Sequence, residues 1–353
     1  MIKNFVNNDT CFGCSNCYNI CPKQAIQMQY SNGFLNPFVD LTKCVNCGLC
    51  VKACPSINKY EKVPFLFDCY AARIKDKDSL FKSTSGGVFT AISNFILEQG
   101  GCVCGAVYSD DFKSVFHAIT FDKEVRDQMR KAKYVQSNLK DVFKKITGYL
   151  NSGKLVLFTG TSCQIHALNI FLDLNKTKKD NLYTIDIVCH GAPSPLIFDN
   201  FISNIQQKYG LIEKIEFRSK EFGWHSGAAT LIKLKNGGIV PHKEADKYAS
   251  LYFKNVITRP VCFSCCYTTI FRIGDISIGD CWGIEKTNSL FNDENGTSLL
   301  LINNEKGKKI FESIRNNLSL EKHYITDFLQ PNLQKPTSKP FNYDLDFLKI
   351  LNK

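Results

Sequence analysis

Seventeen cysteines stand in this 353-residue chain, and eight of them fall within the first 60 residues. Those eight form two copies of one pattern, Cys11-Phe-Gly-Cys14-Ser-Asn-Cys17-Tyr-Asn-Ile-Cys21-Pro22 and Cys44-Val-Asn-Cys47-Gly-Leu-Cys50-Val-Lys-Ala-Cys54-Pro55, set 33 residues apart. Met1 to Thr10 is polar and lacks the apolar stretch of a secretory signal, which points to a cytoplasmic protein. A reducing compartment and an odd cysteine count both sit badly with a disulfide framework. At about 5% cysteine the chain is also below the density of a small disulfide scaffold. Thiols gathered in this way are there to bind metal.

The spacing C-x2-C-x2-C-x3-C-P is that of bacterial ferredoxins, and the chemistry explains it. Three close cysteines let one tight loop wrap a corner of an iron–sulfur cube, while the fourth reaches to the other cluster. The expected sets are Cys11, Cys14, Cys17 and Cys54 for one [4Fe-4S] cluster, and Cys44, Cys47, Cys50 and Cys21 for the second. Pro22 and Pro55 end each turn and remove a backbone donor where the chain leaves the cluster. Gly48 eases the second loop where the first has Ser15. The alternatives are structural zinc and simple buried cysteines; zinc usually takes two well-separated C-x2-C pairs rather than two four-cysteine runs.

Nine cysteines remain. Leu155 to Phe158 runs into Thr159-Gly160-Thr161-Ser162-Cys163-Gln164, a strand, a tight turn and a helix start, where the helix dipole favours a thiolate. Ile185 to Val188 runs into Cys189-His190-Gly191, and Cys262-Phe-Ser-Cys265 gives a local pair. Two single cysteines and one C-x2-C suffice for a third four-thiolate site; a redox dithiol, zinc and unrelated core thiols are the competing readings, and Cys266 or Cys281 can replace any of the four. Cys69, Cys102 and Cys104 lie in apolar strands and read as packing residues. Lys82-Ser83-Thr84-Ser85-Gly86-Gly87 precedes a helix, so it is either a serine N-cap followed by glycines or a loop whose free N–H groups receive a phosphate. Lys133, Tyr134, Gln136 and Ser137 offer charge, a ring and hydrogen bonds to the same group, or form a solvated loop. His190 is a candidate proton donor or a structural histidine. Lys220, Trp224 and His225 lie in a glycine-containing loop, where a surface position competes with a substrate-facing one.

These residues need elements to position them. Ala25–Tyr30 and Phe34–Val39 flank Ser31-Asn32-Gly33 as a hairpin between the two cysteine runs, and the polar residues 56–64 read as a linker. Beyond it, strands near 69–74, 102–108, 114–121, 155–158, 183–188, 212–217, 229–234 and 273–278 alternate with helices near 87–99, 139–150, 164–172 and 196–209. The fold expected is an α/β core of mixed α+β type with an N-terminal ferredoxin-like dicluster domain. The divisions are 1–60 for the two-cluster domain, 61–150 for the first part of the core, and 151–353 for its second part. After about Ile284 the pattern is uninformative.

Composition narrows the function further. Hydrophobic residues make up 44% and charged residues 22%, which excludes a disordered or fibrous chain. No run of about 18 apolar residues occurs, so a membrane-spanning helix is excluded. The formal charge of +11 counts thiolates as neutral; if three clusters and a flavin dinucleotide, each near −2, were bound, it would fall to about +3. The lysines are scattered, so nucleic acid is not an expected partner. No G-x-G-x-x-G supports a nicotinamide site, and Gly148-Tyr-Leu-Asn-Ser-Gly153-Lys154 lacks both the Ser or Thr and the following helix of an ATP site.

An ordered set of motifs carries a family resemblance. Ser83-Thr-Ser-Gly-Gly87, Lys133-Tyr-Val-Gln-Ser137, Gly160-Thr-Ser-Cys-Gln164, Asp186-Ile-Val-Cys-His-Gly191, Phe217-Arg-Ser-Lys220 with Gly223-Trp224, Cys262-x-x-Cys265 and Asp275-Ile-Ser-Ile-Gly-Asp280 occur in that order over roughly 65–285. Together they resemble the coenzyme F420 hydrogenase/dehydrogenase beta subunit family, with Ser162 where the family usually has proline. The resemblance implies a third [4Fe-4S] cluster on Cys163, Cys189, Cys262 and Cys265, beside FAD held by Ser83, Thr84, Ser85, Gly86, Gly87, Lys133, Tyr134, Gln136 and Ser137, with His190 as catalytic candidate. It implies an oxidoreductase moving electrons between a ferredoxin-type donor or acceptor and a small organic substrate. The alternative is a non-catalytic electron-transfer subunit of a larger redox complex; oligomerisation is left open.

Overall fold

The two cysteine repeats fold alike in a computed structural model that describes residues 1–351 apart from 5, 8, 62–67, 228 and 288. Each loop turns on two left-handed residues at matching positions: Gly13 (φ 63°) and Ser15 (φ 57°) in the first, Asn46 (φ 52°) and Gly48 (φ 77°) in the second. Glycine and asparagine enter that region at little cost, and Ser15 is the one strained member. Short helices follow each loop, α1 (Asn16–Ile20) and α2 (Leu49–Lys52). Between them β1 (Ile26–Ser31) pairs antiparallel with β2 (Phe34–Val39). Asn32 and Gly33 both have positive φ, 48° and 76°, as a two-residue hairpin turn of the right twist requires. Of the linker at 56–64, residues 62–64 lie outside the described residues.

The core runs β3 (Asp68–Ile74), α3 (Lys77–Phe81), α4 (Val88–Glu98), β4 (Cys102–Tyr108), β5 (Val115–Thr120), α5 (Lys123–Asp127), α6 (Val142–Asn151), β6 (Val156–Thr161), α7 (Ser162–Leu174), β7 (Leu182–Ile187), α8 (Pro195–Tyr209), β8 (Ile212–Phe217), β9 (Thr230–Leu234), α9 (His242–Phe253), β10 (Ile276–Asp280), β11 (Ser298–Ile302), α10 (Glu305–Ile314), β12 (Leu318–His323) and α11 (Tyr343–Leu351). Eight strands form one sheet in the order β12-β3-β11-β10-β7-β6-β4-β5. Its four central strands, β10, β7, β6 and β4, are parallel, and every other neighbour is antiparallel. The fold is therefore a mixed α/β core, as the alternation of elements indicates.

The tail contributes what the sequence pattern does not reveal. β11, Ser298-Leu-Leu-Leu-Ile302, is buried along its whole length between β3 and β10. A small ribbon of β8 and β9 packs with α8 and α9 around Phe198, Phe217 and Tyr248. None of the described helices is long and apolar enough to cross a membrane.

A polar joint fixes the N-terminal head on this core. Arg259, 1% exposed, donates to Cys11 O, Gln136 Oε1 (2.8 Å), Leu35 O (3.0 Å) and Asn36 Oδ1 (2.6 Å). Gln136 in turn donates to Phe12 O at 2.9 Å, and Asn16 Nδ2 reaches Ala167 O of α7 at 2.8 Å. A Cβ on Gly13 would lie 2.7 Å from the Arg259 guanidinium, so the joint closes only over glycine.

Candidate metal centres and cofactor cavity

Thiols gather at three places. In the head, Cys14 lies in the fields of Cys54, Cys17 and Cys11, and Cys17 in those of Cys11 and Cys54. Burial, aided by these neighbours, pushes the Cys14 and Cys17 thiols well above the ordinary range. Cys21, Cys44, Cys47 and Cys50 line one small hollow, and Cys47 is exposed. Cys54 thus lies near the first repeat's thiols and Cys21 near the second repeat's.

The third gathering sits at the carboxyl ends of the parallel strands, where open α/β sheets bind ligands. β6 ends at Thr161, and Cys163 is the second residue of α7. Gln164 Oε1 accepts from the Thr161 N–H at 3.0 Å and fixes that helix start. β7 ends at Ile187, two residues before Cys189, while Cys262 and Cys265 lie on and just after a 3-10 turn, Pro260–Ser264. Cys163 feels Cys265 and Cys189, Cys189 feels Cys262 and Cys265, and Cys262 feels Cys265 and Cys163. The lowering expected of Cys163 at a helix start does not prevail: burial pushes the free thiol up, and lifts Cys189 and Cys262 to about 12. Of the alternatives, Cys281 is buried beside Cys69 in another cluster, whereas Cys266 is exposed and within the field of Cys163 and Cys265.

Four partly buried thiols that raise one another have no use for their ionised form without a cationic centre, so the donor chemistry fits an iron–sulfur cluster. Among the described residues no three Cys, His, Asp or Glu side chains gather tightly enough for a single metal ion. A cube is wider than one ion and spaces its thiolates accordingly.

Arg272 braces this place, and no sequence signal marks it. It forms a buried ion pair with Asp186 and donates to Ser162 Oγ (3.0 Å) and Ile187 O (3.2 Å), so one side chain ties the ends of β6 and β7. Ser162 also donates to Asp186 Oδ2 at 3.0 Å, which gives the hydroxyl a role where a proline is otherwise expected.

Beside the core thiols opens a cavity of about 1330 Å³. That exceeds the roughly 300–1,000 Å³ of most ligand pockets. Ser83, Thr84, Ser85, Gly87, Lys133, Tyr134, Gln136, Ser137 and His190 all line it together with Cys163 and Cys189; Gly86 does not. Gly86 instead holds the loop down: a Cβ there would lie 2.6 Å from Ser298 N and nearer still to Ala72 O. No serine caps α4; its N-cap is Gly87, with φ 81° and no side-chain bond to the helix. The N-terminal N–H groups of α4 thus start at the cavity, whose wall includes Val88 and Phe89.

On the same wall, burial lowers Lys133 to about 7, with its Nζ on Arg130 O at 2.8 Å, and raises Tyr134 to about 12. Gln136 and Ser137 spend polar atoms within the protein, on the head joint and on Gln164 Nε2 (3.0 Å) respectively. His190 Nε2 meets Asn255 Oδ1 at 2.7 Å. Lys220 and Trp224 are buried at 8% and 3% exposure, against the surface reading of their loop; His225 is exposed.

Comparison with known proteins agrees with this layout. Residues 153–327 match the family model for the C terminus of the coenzyme F420 hydrogenase/dehydrogenase beta subunit, and residues 10–58 match that of the 4Fe-4S dicluster domain. The chain is 27% identical over 239 residues to the F420-dependent formate dehydrogenase subunit beta of Methanocaldococcus jannaschii, covering 67% of this chain and 56% of that one. Over 54 residues it is 35% identical to NADH-quinone oxidoreductase subunit I of Pelobacter propionicus, covering 13% of this chain and 29% of that one. The chain therefore spans just over half of the first relative and under a third of the second. A chain of the F420-reducing [NiFe] hydrogenase complex from Methanosarcina barkeri shares the fold, with a TM-score of 0.50, 19% identity, and coverage of 83% of this chain and 92% of that one. With the motifs at the strand ends and two ferredoxin-type thiol sets in the head, residues 153–327 carry the C-terminal domain of the coenzyme F420 hydrogenase/dehydrogenase beta subunit family, behind an N-terminal 4Fe-4S dicluster domain at residues 10–58.

Proposed function

We propose that the chain is a flavin-dependent oxidoreductase that exchanges electrons between a ferredoxin-type partner and a small organic substrate. The observation that carries this reading is the shared wall: the core thiols Cys163 and Cys189 and the loops at 83–87 and 133–137 face one cavity. Cys11, Cys14, Cys17 and Cys54, then Cys21, Cys44, Cys47 and Cys50, then Cys163, Cys189, Cys262 and Cys265 are the residues that would hold three [4Fe-4S] clusters. FAD, when bound, would supply the exchange between single electrons and hydride pairs that a cluster-fed reaction on an organic substrate needs.

The protein's own residues prepare for this. The exposed Cys47 puts the outer thiol set at the surface, within reach of a redox partner. Cys14 lies on the inner side, and Tyr267 stands between the fields of Cys14 and of Cys163 and Cys265. The Tyr267 hydroxyl is fixed on His166 Nδ1 at 2.7 Å, and Phe12 meets its ring edge-on at 5.5 Å. The N–H groups where the loop at 83–87 meets α4 would receive phosphate oxygens, and Lys133 would add a charge. His190, oriented by Asn255, stands at the cavity wall beside Cys189, where it can hold a proton.

Anaerobic purification followed by iron, sulfide and flavin counts tests the reading. About twelve irons and one flavin per chain support it; twelve irons with no flavin, before and after incubation with FAD, contradict it. A second reading, a non-catalytic electron-transfer subunit, has the names of the relatives in its favour, since each is named as a subunit. Substrate reduction by the isolated chain separates the two.

A further inference from the structure

Lys220 is a buried cation that the functional reading leaves without a task. It sits on the 3-10 turn Lys220–Phe222 after β8, 8% exposed, and its aliphatic stem packs against Gly296, where a Cβ would lie 2.8 Å from Lys220 Cε. Its Nζ donates to Leu80 O and Ser85 O, at 2.7 Å each. Those two carbonyls bracket the start of the loop that ends in Gly86 and Gly87. The acidic group whose field reaches it, Asp280, is already engaged by Arg218. A buried ammonium held by carbonyls, with its acidic neighbour shared, lacks a full counter-charge.

Resting on the flavin reading above, we propose that Lys220 is a positioning residue for the cofactor's phosphates: it clamps the Ser83–Gly87 loop from behind and supplies the positive charge that a phosphate at that loop neutralises. The loop's other bonds, including Ser83 Oγ on Ser79 O and Ile74 N on Gly86 O, are all between neutral groups. Ser85 Oγ is spent on Thr297 O, Gly86 N on Ser298 Oγ at 2.9 Å, and Thr84 Oγ1 on Ala132 N at 2.9 Å. None of these bonds carries charge; the two from Lys220 do. The groups that act on Lys220 are Lys131, Arg73 and Arg218, which disfavour its ammonium, and Asp280, which favours it; with burial they lower it to about 7. An arriving phosphate reverses that balance, so binding takes up a proton above about pH 7 and weakens as pH rises.

The test uses the full chain with its clusters retained and its flavin removed. FAD, and riboflavin as a ligand without phosphate, are titrated by flavin fluorescence for the parent, Lys220→Met and Lys220→Arg, across about two pH units either side of neutrality. Lys220→Met is expected to weaken FAD about tenfold at the acid end, the worth of a charge-assisted bond, while riboflavin is unchanged. Above about pH 7 each titrating cation contributes a tenfold loss per pH unit, so Lys220→Met should remove one unit of slope and leave the contribution of Lys133. Lys220→Arg should keep FAD affinity and also lose that unit of slope, because a guanidinium does not deprotonate. A purely structural lysine would move FAD and riboflavin together and leave the slope. Parent-like FAD affinity and slope in Lys220→Met overturn the inference, as does a parent-like slope in Lys220→Arg should the methionine variant fail to fold. A parent chain that binds neither ligand at any pH rejects the flavin reading itself, and the inference with it.

Discussion

Replacing Arg259 with methionine is expected to unlatch the head from the core. The guanidinium serves four acceptors, Cys11 O, Leu35 O and Asn36 Oδ1 in the head and Gln136 Oε1 in the core, and lies over the Phe34 ring at 5.2 Å. Methionine fills much of the volume but leaves those acceptors buried and unpaired, at about 1–3 kcal/mol each. The parent bears an opposing cost, since Arg259 is itself a buried charge, and its removal returns part of the loss. The net destabilisation of the joint is roughly 3 kcal/mol, which raises the open population about 150-fold. Hydrogen exchange measured by mass spectrometry on peptides covering 10–17 and 33–39 reads that opening directly, and exchange there should accelerate by about two orders of magnitude, with peptides from α10 unaffected. Arg259→Lys keeps the charge but not the fork and should fall between. Exchange at parent rates in the methionine variant would refute the joint as the element that holds the head.

Three further outcomes are expected. Cys163→Ser should lower iron from about twelve per chain to about eight by chemical assay, the head keeping its own; unchanged iron would move suspicion to Cys266. Gly86→Ala should cost about 1–3 kcal/mol in a thermal melt and lose retained flavin, because the new methyl group meets the backbones of β3 and β11. His117, buried with its Nε2 on Thr159 O at 2.9 Å, is lowered by burial to about 4, so the folded chain resists a proton that the unfolded chain takes near pH 6.5. Its contribution is whole above about pH 6.5 and lost as pH falls to about 4, to a total of roughly 3 kcal/mol; acid unfolding of His117→Gln should lack that portion of the pH dependence.

The head is the most legible part of the chain, because cluster ligation ties function to spacing along a few residues. The exchange of Cys21 and Cys54 between the repeats is expected from the ferredoxin spacing itself. The parallel strands are legible too: strands buried on both faces, such as Val156-Leu-Phe158, read as short apolar runs between helices. β11 is not, because a five-residue apolar run in an Asn- and Lys-rich tail carries no period that separates strand from helix. The resemblance decides which of six remaining cysteines to choose, and the fold brings those four together while placing Cys281 beside Cys69. Lys220 and Trp224 read as surface residues because glycine-containing loops usually are surface; here the turn after β8 folds under another loop, a tertiary event with no local signature. Arg259 and Arg272 are invisible in the sequence for the same reason. Each is a single arginine whose partners come from segments distant in sequence, and only the folded chain brings them together.

The serial layout of three thiol sets leading to one cavity is tested most directly by Cys189→Ser under anaerobic conditions, with iron and flavin counted in each sample. Loss of a thiolate at the core set should leave the head sets and the loop at 83–87 in place, so flavin should remain bound. Reduction of that flavin by a ferredoxin-type donor should slow severely, while reduction by a small chemical reductant should proceed at the parent rate. Donor-driven reduction at the parent rate, in a sample whose iron has fallen by about four, would contradict the layout.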